Sequence, residues 1–119
     1  MQRLLYTDLV KWKDDPDRKP LIVKGVRQCG KTWLLNTFSQ DCFEDAAYFN
    51  FEKSADLCTI FEKDLEPQRI IEELGFQRGK KIEPGVTLLI FDEIQACPNA
   101  ITSLKYFCED LKTLHLVCA

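Results

Sequence analysis

The sequence predicts an α/β domain in which a mainly parallel sheet lies between two layers of helices. Three observations predict it. Short apolar runs (Leu21, Ile22 and Val23, then 46–51, 86–91 and 115–118) alternate along the chain with segments of helical periodicity, the order of a parallel sheet flanked by helices. The run 86–91, VTLLIF, is apolar at successive positions, so it belongs in the middle of a sheet covered on both faces. The first run passes straight into a glycine-punctuated loop that opens a helical segment.

Taken in order, Leu5, Leu9 and Trp12 recur at i, i+4 and i+7 and predict an amphipathic opening helix. Asp14, Asp15, Pro16 and Asp17 break it, and a polar connection runs to Pro20. Leu21, Ile22 and Val23 fit a buried strand. Leu34, Leu35 and Phe38 mark a helix over 31–40. AAYFNF at 46–51 reads as a second strand, and Leu57, Ile60 and Phe61 as a following helix. Pro67 suits the first turn of a helix carrying Ile70, Ile71 and Leu74, which Gly75 and Gly79 close. Pro84 and Gly85 form a turn before the strand 86–91. Pro98 opens a last helix with Ile101, Leu104, Phe107 and Leu111 on its apolar face, and HLVC at 115–118 is a final strand.

Bulk properties bound the function. A chain of 119 residues is one domain. Its hydrophobic fraction of 45% suffices for a core, and at this length about two thirds of the unfolded surface is buried on folding. Charged residues make up 29% and the net charge is −3, which argues against a strongly basic nucleic-acid-coating surface. No apolar run approaches the roughly 20 residues that span a bilayer. The charged N-terminus lacks the apolar segment of a signal peptide, so a cytoplasmic protein without membrane contact is expected. The six cysteines are spread without a C-x-x-C pair and His115 is the lone histidine. That spacing favours free thiols over a disulfide framework or a zinc site.

The chemistry is carried by residues 25–32, which read Gly25, Val26, Arg27, Gln28, Cys29, Gly30, Lys31, Thr32 and match the phosphate-binding pattern G-x-x-x-x-G-K-[ST]. The two glycines let the backbone curl so that several N–H groups converge on one anion. The helix that starts near Gly30 adds its positive dipole end. Lys31 reaches the β- and γ-phosphates, and the Thr32 hydroxyl ligates magnesium. An ordinary strand-to-helix turn with a surface lysine is the bland alternative, but it has no need of the whole pattern. The motif also follows an apolar strand and runs on through Trp33, Leu34 and Leu35, the context such a loop requires.

About 60 residues further on, Leu88, Leu89, Ile90 and Phe91 precede Asp92 and Glu93, the form of a Walker B segment. Ligands bind at the carboxyl edge of open α/β sheets, so Asp92 is expected beside the phosphate loop, holding magnesium with Thr32. Glu93 is placed to polarise the attacking water; a solvated strand end or helix cap is the alternative for both acids. Asn50 ends a strand, where it either reaches the γ-phosphate side and holds Glu93 or serves as a turn residue. Lys24 and Arg27 either raise the local positive potential or are plain surface charges. Alkylation of Cys29, inside the loop, is expected to impede nucleotide binding. The acids at 62–66 and at Glu72 and Glu73 read as solvated helix faces. Tyr6 and Trp12 read as core residues rather than adenine shields.

The segments KPLIVKGVRQCGKTWLL, YFNFEK, LLIFDEIQACP and ITSLKYFCED resemble the AAA+ ATPase domain of a large prokaryotic family of ATP-binding proteins, over nearly the whole chain from Lys19 to Cys118. The resemblance implies a three-layer α/β/α P-loop NTPase fold with the phosphate-loop strand beside the sensor strand. It implies nucleotide binding by residues 25–32 and Trp33, catalytic roles for Lys31 and Glu93, magnesium on Thr32 and Asp92, and Asn50 pairing with Glu93. Against that pattern the chain is expected to be a single partial AAA+ domain (1–20 an N-terminal helix and connection, 21–119 the core). The resemblance implies that it is expected to stop before the sensor residue, the final core strand, the lid and the arginine finger. Hydrolysis of ATP to ADP and phosphate is then expected of the complete protein, with slow or no turnover in this chain. The alternative is a nucleotide-dependent interaction module without hydrolysis. ATP and Mg2+ are the expected ligands. A second copy or a partner protein is an open expectation, and nucleic acid is expected only through further domains.

Overall fold

The computed structural model describes residues 6–22 and 28–118, with side chains over 8–22 and 34–118. Helix α1 (Tyr6–Asp14) leads to strand β1 (Leu21–Ile22), helix α2 (Gln28–Cys42) and strand β2 (Asp45–Asn50). A 3₁₀ turn (Ala55–Thr59) runs into the short helix α3 (Ile60–Lys63), followed by α4 (Pro67–Arg78) and strand β3 (Thr87–Asp92). A second 3₁₀ turn (Ile94–Ala96), helix α5 (Pro98–Asp110) and strand β4 (His115–Cys118) complete the order. The four strands form one sheet in the order β1-β4-β3-β2, with every pairing parallel. The strand that precedes the glycine loop lies beside the last strand, as the resemblance implied.

Local chemistry sets the boundaries. Beyond α1 the Asp15 carboxylate accepts from the N–H of Asp17 at 2.9 Å, an Asx turn that turns the chain away from the helix. Pro67 opens α4, and the Glu66 carboxylate accepts from the N–H groups of Gln68 and Arg69 at 2.9 and 3.0 Å, satisfying donors that a helix start leaves unpaired. Glu66 is thus a cap rather than a member of a plain solvated face. The helix closes on Gly79 in the left-handed region, φ 79°, the conformation glycine adopts without penalty. Gly75 does not close it: it lies buried inside α4.

The core lies on both faces of the sheet. Leu88 and Ile90 of β3 pack with Leu9 of α1 and with Leu35 and Phe38 of α2. Leu89 and Phe91 pack on the opposite face with Phe61 of α3, Ile70 and Leu74 of α4, and Phe107 of α5. The alternation of β3 thus builds two layers of helix on one strand, a three-layer α/β/α domain of P-loop NTPase-like fold. Aromatic rings stack edge to face through the second core, Phe91 lying 5.1 Å from Phe51 and 6.3 Å from Phe107. Trp12 is half-buried at the margin of the first core, against Phe38 and His115.

Three expectations need correction in detail. β3 begins one residue later than expected, because the N–H groups of Val86 and Thr87 both turn back to the carbonyl of Glu83 (3.0 and 2.9 Å) before the strand can begin, and β2 runs one residue earlier, over Asp45–Asn50. The segment around Leu57 is a 3₁₀ turn and a single helical turn, not one helix. Finally, Ile22 is 49% exposed rather than buried, because β1 pairs on one side only within the described sheet.

Candidate functional site

All strands run parallel, so their carboxyl ends share one edge of the sheet, the edge where open α/β sheets bind ligands. Ile22 of β1 and Phe91 of β3 both stand opposite Cys118 of β4. The two strands therefore reach the same level, two strand spacings or about 10 Å apart. β1 leads into the glycine loop and β3 ends at Asp92. Gly25, Val26 and Arg27 lie outside the described residues, as does Lys24. Gln28, Cys29, Gly30, Lys31, Thr32 and Trp33 form the first two turns of α2, and their side chains lie outside the described set. The helix begins two residues ahead of Gly30, within the motif. Its first N–H groups are those that a helix start leaves available to an anion.

Asp92 is held at both oxygens. Its Oδ1 accepts from the backbone N–H of Glu93 at 2.9 Å and its Oδ2 from the Tyr48 hydroxyl at 2.5 Å. Tyr48 lies on β2 two residues before Asn50, and Asn50 is the register partner of Asp92. The Asn50 amide donates to the Tyr48 oxygen at 3.4 Å, while its Oδ1 accepts from the N–H groups of Glu52 and Lys53, each at 2.9 Å. Asn50 is therefore a turn residue at the strand end and also a member of the polar group around Asp92. Burial pushes the Tyr48 phenol pKa up, aided by the hydrogen bond to Asp92.

Glu93 follows in the left-handed region, φ 52° and ψ 45°, the one non-glycine residue with positive φ among those described. Its Oε1 accepts from the Gln95 amide at 2.5 Å. Sequence reasoning missed both Tyr48 and Gln95. The signal for Tyr48 was its place two residues before Asn50 on a strand, where side chains share a face. No signal short of the turn itself marked Gln95.

A carboxylate offers about four acceptor sites. The hydrogen bonds to Asp92 leave capacity for a hard, oxygen-ligated cation such as Mg2+. Among the described residues no cluster of three or more His, Cys, Asp or Glu could hold a metal. Cys58, Cys97, Cys108 and Cys118 are free thiols, and burial pushes Cys118 up to about 12. A groove of about 520 Å3 lined by Ile71, Gly75, Phe76 and Ile82 opens at the other edge of the sheet. Lys80, part of its wall, pairs there with Asp45 at the first residue of β2.

The fold and this edge agree with a comparison with known families: residues 17–119 fit the family model described as an AAA domain. This chain belongs to the AAA domain family. The AAA domain is an ATPase-type nucleotide-binding unit, and its fold here is the parallel sheet with helices on both faces that such units use. No curated protein and no solved structure matches the chain. Among the described residues of this AAA domain, no helix is long and apolar enough to cross a membrane.

Proposed function

We propose that this AAA domain binds ATP with Mg2+ between residues 25–32 and Asp92, and that ATP is hydrolysed to ADP and phosphate with Glu93 as the base. The observation that carries the reading is the shared sheet edge. Ile22 of β1 and Phe91 of β3 stand at one level, the first strand leading toward a phosphate-loop motif and the second into an Asp-Glu pair.

In this reading the backbone N–H groups of Gly25, Val26, Arg27, Gln28, Cys29 and Gly30 cradle the phosphates, and Trp33 continues the helix behind them. Lys31 neutralises the β- and γ-phosphates. Thr32 and Asp92 would hold magnesium, which would supply positive charge against the phosphates. Glu93 takes a proton from water, and Asn50, whose amide goes to Tyr48, supports the Asp92 side of the site rather than the Glu93 carboxylate. Phosphoryl transfer asks the protein mainly for positioning and charge stabilisation, and Asp92 is held for that task at both oxygens.

A second reading follows from the hydrogen bond between Gln95 and Glu93. If Gln95 keeps the carboxylate occupied, ATP instead orders a surface that a second copy or a partner protein reads, without hydrolysis. The test is calorimetric titration with Mg2+ and a non-hydrolysable ATP analogue, using Lys31→Ala as the control, followed by single-turnover hydrolysis with Glu93→Gln. Binding that disappears with Lys31→Ala supports the site. A Glu93→Gln variant that binds normally but turns over about 10²- to 10⁴-fold more slowly supports the enzyme. Measurable turnover untouched by Glu93→Gln overturns the base assignment, and binding without any turnover by the complete protein favours the interaction module.

A further inference from the structure

The grip on Asp92 does not come from its own strand alone. Its second oxygen is held by Tyr48, a residue 44 positions earlier in the chain. Tyr48 is level with Ile90 on the neighbouring strand, and Asn50 is level with Asp92. Paired residues in a sheet point to the same face, and Ile90 packs on the face that α2 covers. Tyr48, Asn50 and Asp92 therefore share the face on which the glycine-loop helix lies.

The hydrogen bonds form a directed chain. The N–H groups of Glu52 and Lys53 anchor the Asn50 oxygen, the Asn50 amide donates to the Tyr48 oxygen, and the Tyr48 hydroxyl donates to Asp92 Oδ2. Each link uses its donor in one direction, so the chain ends on the carboxylate and fixes its plane. Tyr48 is 50% exposed. Burial in a core does not account for an aromatic ring at this place, whereas its hydroxyl has a defined partner.

We infer that Tyr48 is a positioning residue for the cation: it holds the Asp92 carboxylate in the orientation that leaves the remaining lone pairs open to Mg2+. This rests on the reading of Asp92 as a magnesium ligand. Groups that hydrogen-bond a metal ligand set its orientation, and their loss costs about 10- to 100-fold in metal affinity.

The experiment measures binding of a non-hydrolysable ATP analogue to the purified chain across a Mg2+ titration and also without metal, for wild type, Tyr48→Phe, Asp92→Asn and Lys31→Ala. Tyr48→Phe keeps the ring and removes only the hydroxyl. It is expected to raise the Mg2+ concentration for half-maximal binding about 10-fold or more and to leave metal-free nucleotide affinity and the melting temperature unchanged. Mn2+ bound in the presence of the analogue, counted by electron paramagnetic resonance, is expected to fall in parallel. An unchanged Mg2+ requirement for Tyr48→Phe overturns the inference, as does an equal loss of affinity with and without metal. If wild type shows no Mg2+ dependence, or Lys31→Ala and Asp92→Asn bind like wild type, the underlying site assignment has failed instead. Should Tyr48→Phe melt early, Asn50→Ala tests the same chain one link back, and a Mg2+ requirement that stays at the wild-type value there overturns it.

Discussion

Glu93 occupies a backbone conformation that costs an ordinary side chain about 1–2 kcal/mol, at φ 52° and ψ 45°. The residue before it ends a strand, and the residue after it begins a 3₁₀ turn in which the N–H of Ala96 bonds the Glu93 carbonyl at 3.0 Å. The left-handed residue makes the corner between the two. Strain of this kind collects where a side chain must be aimed. The expected outcome is that Glu93→Gly is about 1 kcal/mol more stable than Glu93→Ala in urea denaturation, since both lack the carboxylate and only glycine is free of the penalty. A Glu93→Gly variant less stable than Glu93→Ala would mean that the corner is not strained. The pair Asp92 and Glu93 could be read from the sequence as acids after an apolar strand. The corner could not, because Glu and the 3₁₀ turn give no local sign of positive φ.

At the scale of the element, α4 shows how a glycine misleads. Gly75 looked like a helix stop, yet it is a point of close approach. A Cβ there would meet the Lys80 carbonyl oxygen at 3.1 Å and the Ile82 nitrogen at 3.3 Å, both of them backbone atoms. The returning segment cannot easily give way, because the N–H of Lys80 bonds the Gly75 carbonyl at 3.0 Å. Alanine would gain helix propensity of about 1 kcal/mol and lose about 1–3 kcal/mol to overpacking. Gly75→Ala is therefore expected to lower the stability of the chain by about 1 kcal/mol, read from its denaturation midpoint. An increase would show that the 80–82 segment adapts. The real stop, Gly79, was legible in the sequence, because a glycine after an apolar-periodic stretch with Arg78 in the last turn is a local pattern.

Across the whole molecule, two polar contacts tie distant elements together and predict how stability follows pH. His115 opens β4, and its Nε2 donates to the Lys13 carbonyl of α1 at 3.2 Å. Burial pushes its pKa below the ordinary 6.5, so the unfolded chain takes up a proton more readily than the folded one. Its contribution is complete above pH 6.5 and is lost as the pH falls through 6.5 toward the lowered folded value. Asp45 opens β2 and bonds Arg78 of α4 at 2.6 Å. The Arg78 hydrogen bond holds its pKa at about 2, below the ordinary 3.8. Its contribution is complete above 3.8 and is lost as the pH falls from there to about 2. Thermal melts over this range are expected to fall in two stages. His115→Phe should remove the first and Asp45→Asn should reduce the second, to which Asp64, its carboxyl also held low by the Arg69 hydrogen bond, contributes. A first stage that survives His115→Phe would assign it to another group.

Local patterns in the sequence determined the class of this protein, its strands and helices in order, and the glycine loop with its Asp-Glu partner. Each of these is written in residues close together in the chain, where period, glycine spacing and helix-start chemistry act. The place of β4 between β1 and β3 was implied by the resemblance to a family rather than by any periodicity. Tertiary structure decided the rest: Tyr48 meets Asp92 across 44 residues, Gly75 makes room for a returning backbone, and His115 joins the first helix to the last strand. These contacts depend on which strands pair and in what register, a property of the assembled sheet. A one-residue slip would turn Tyr48 to the opposite face and away from Asp92.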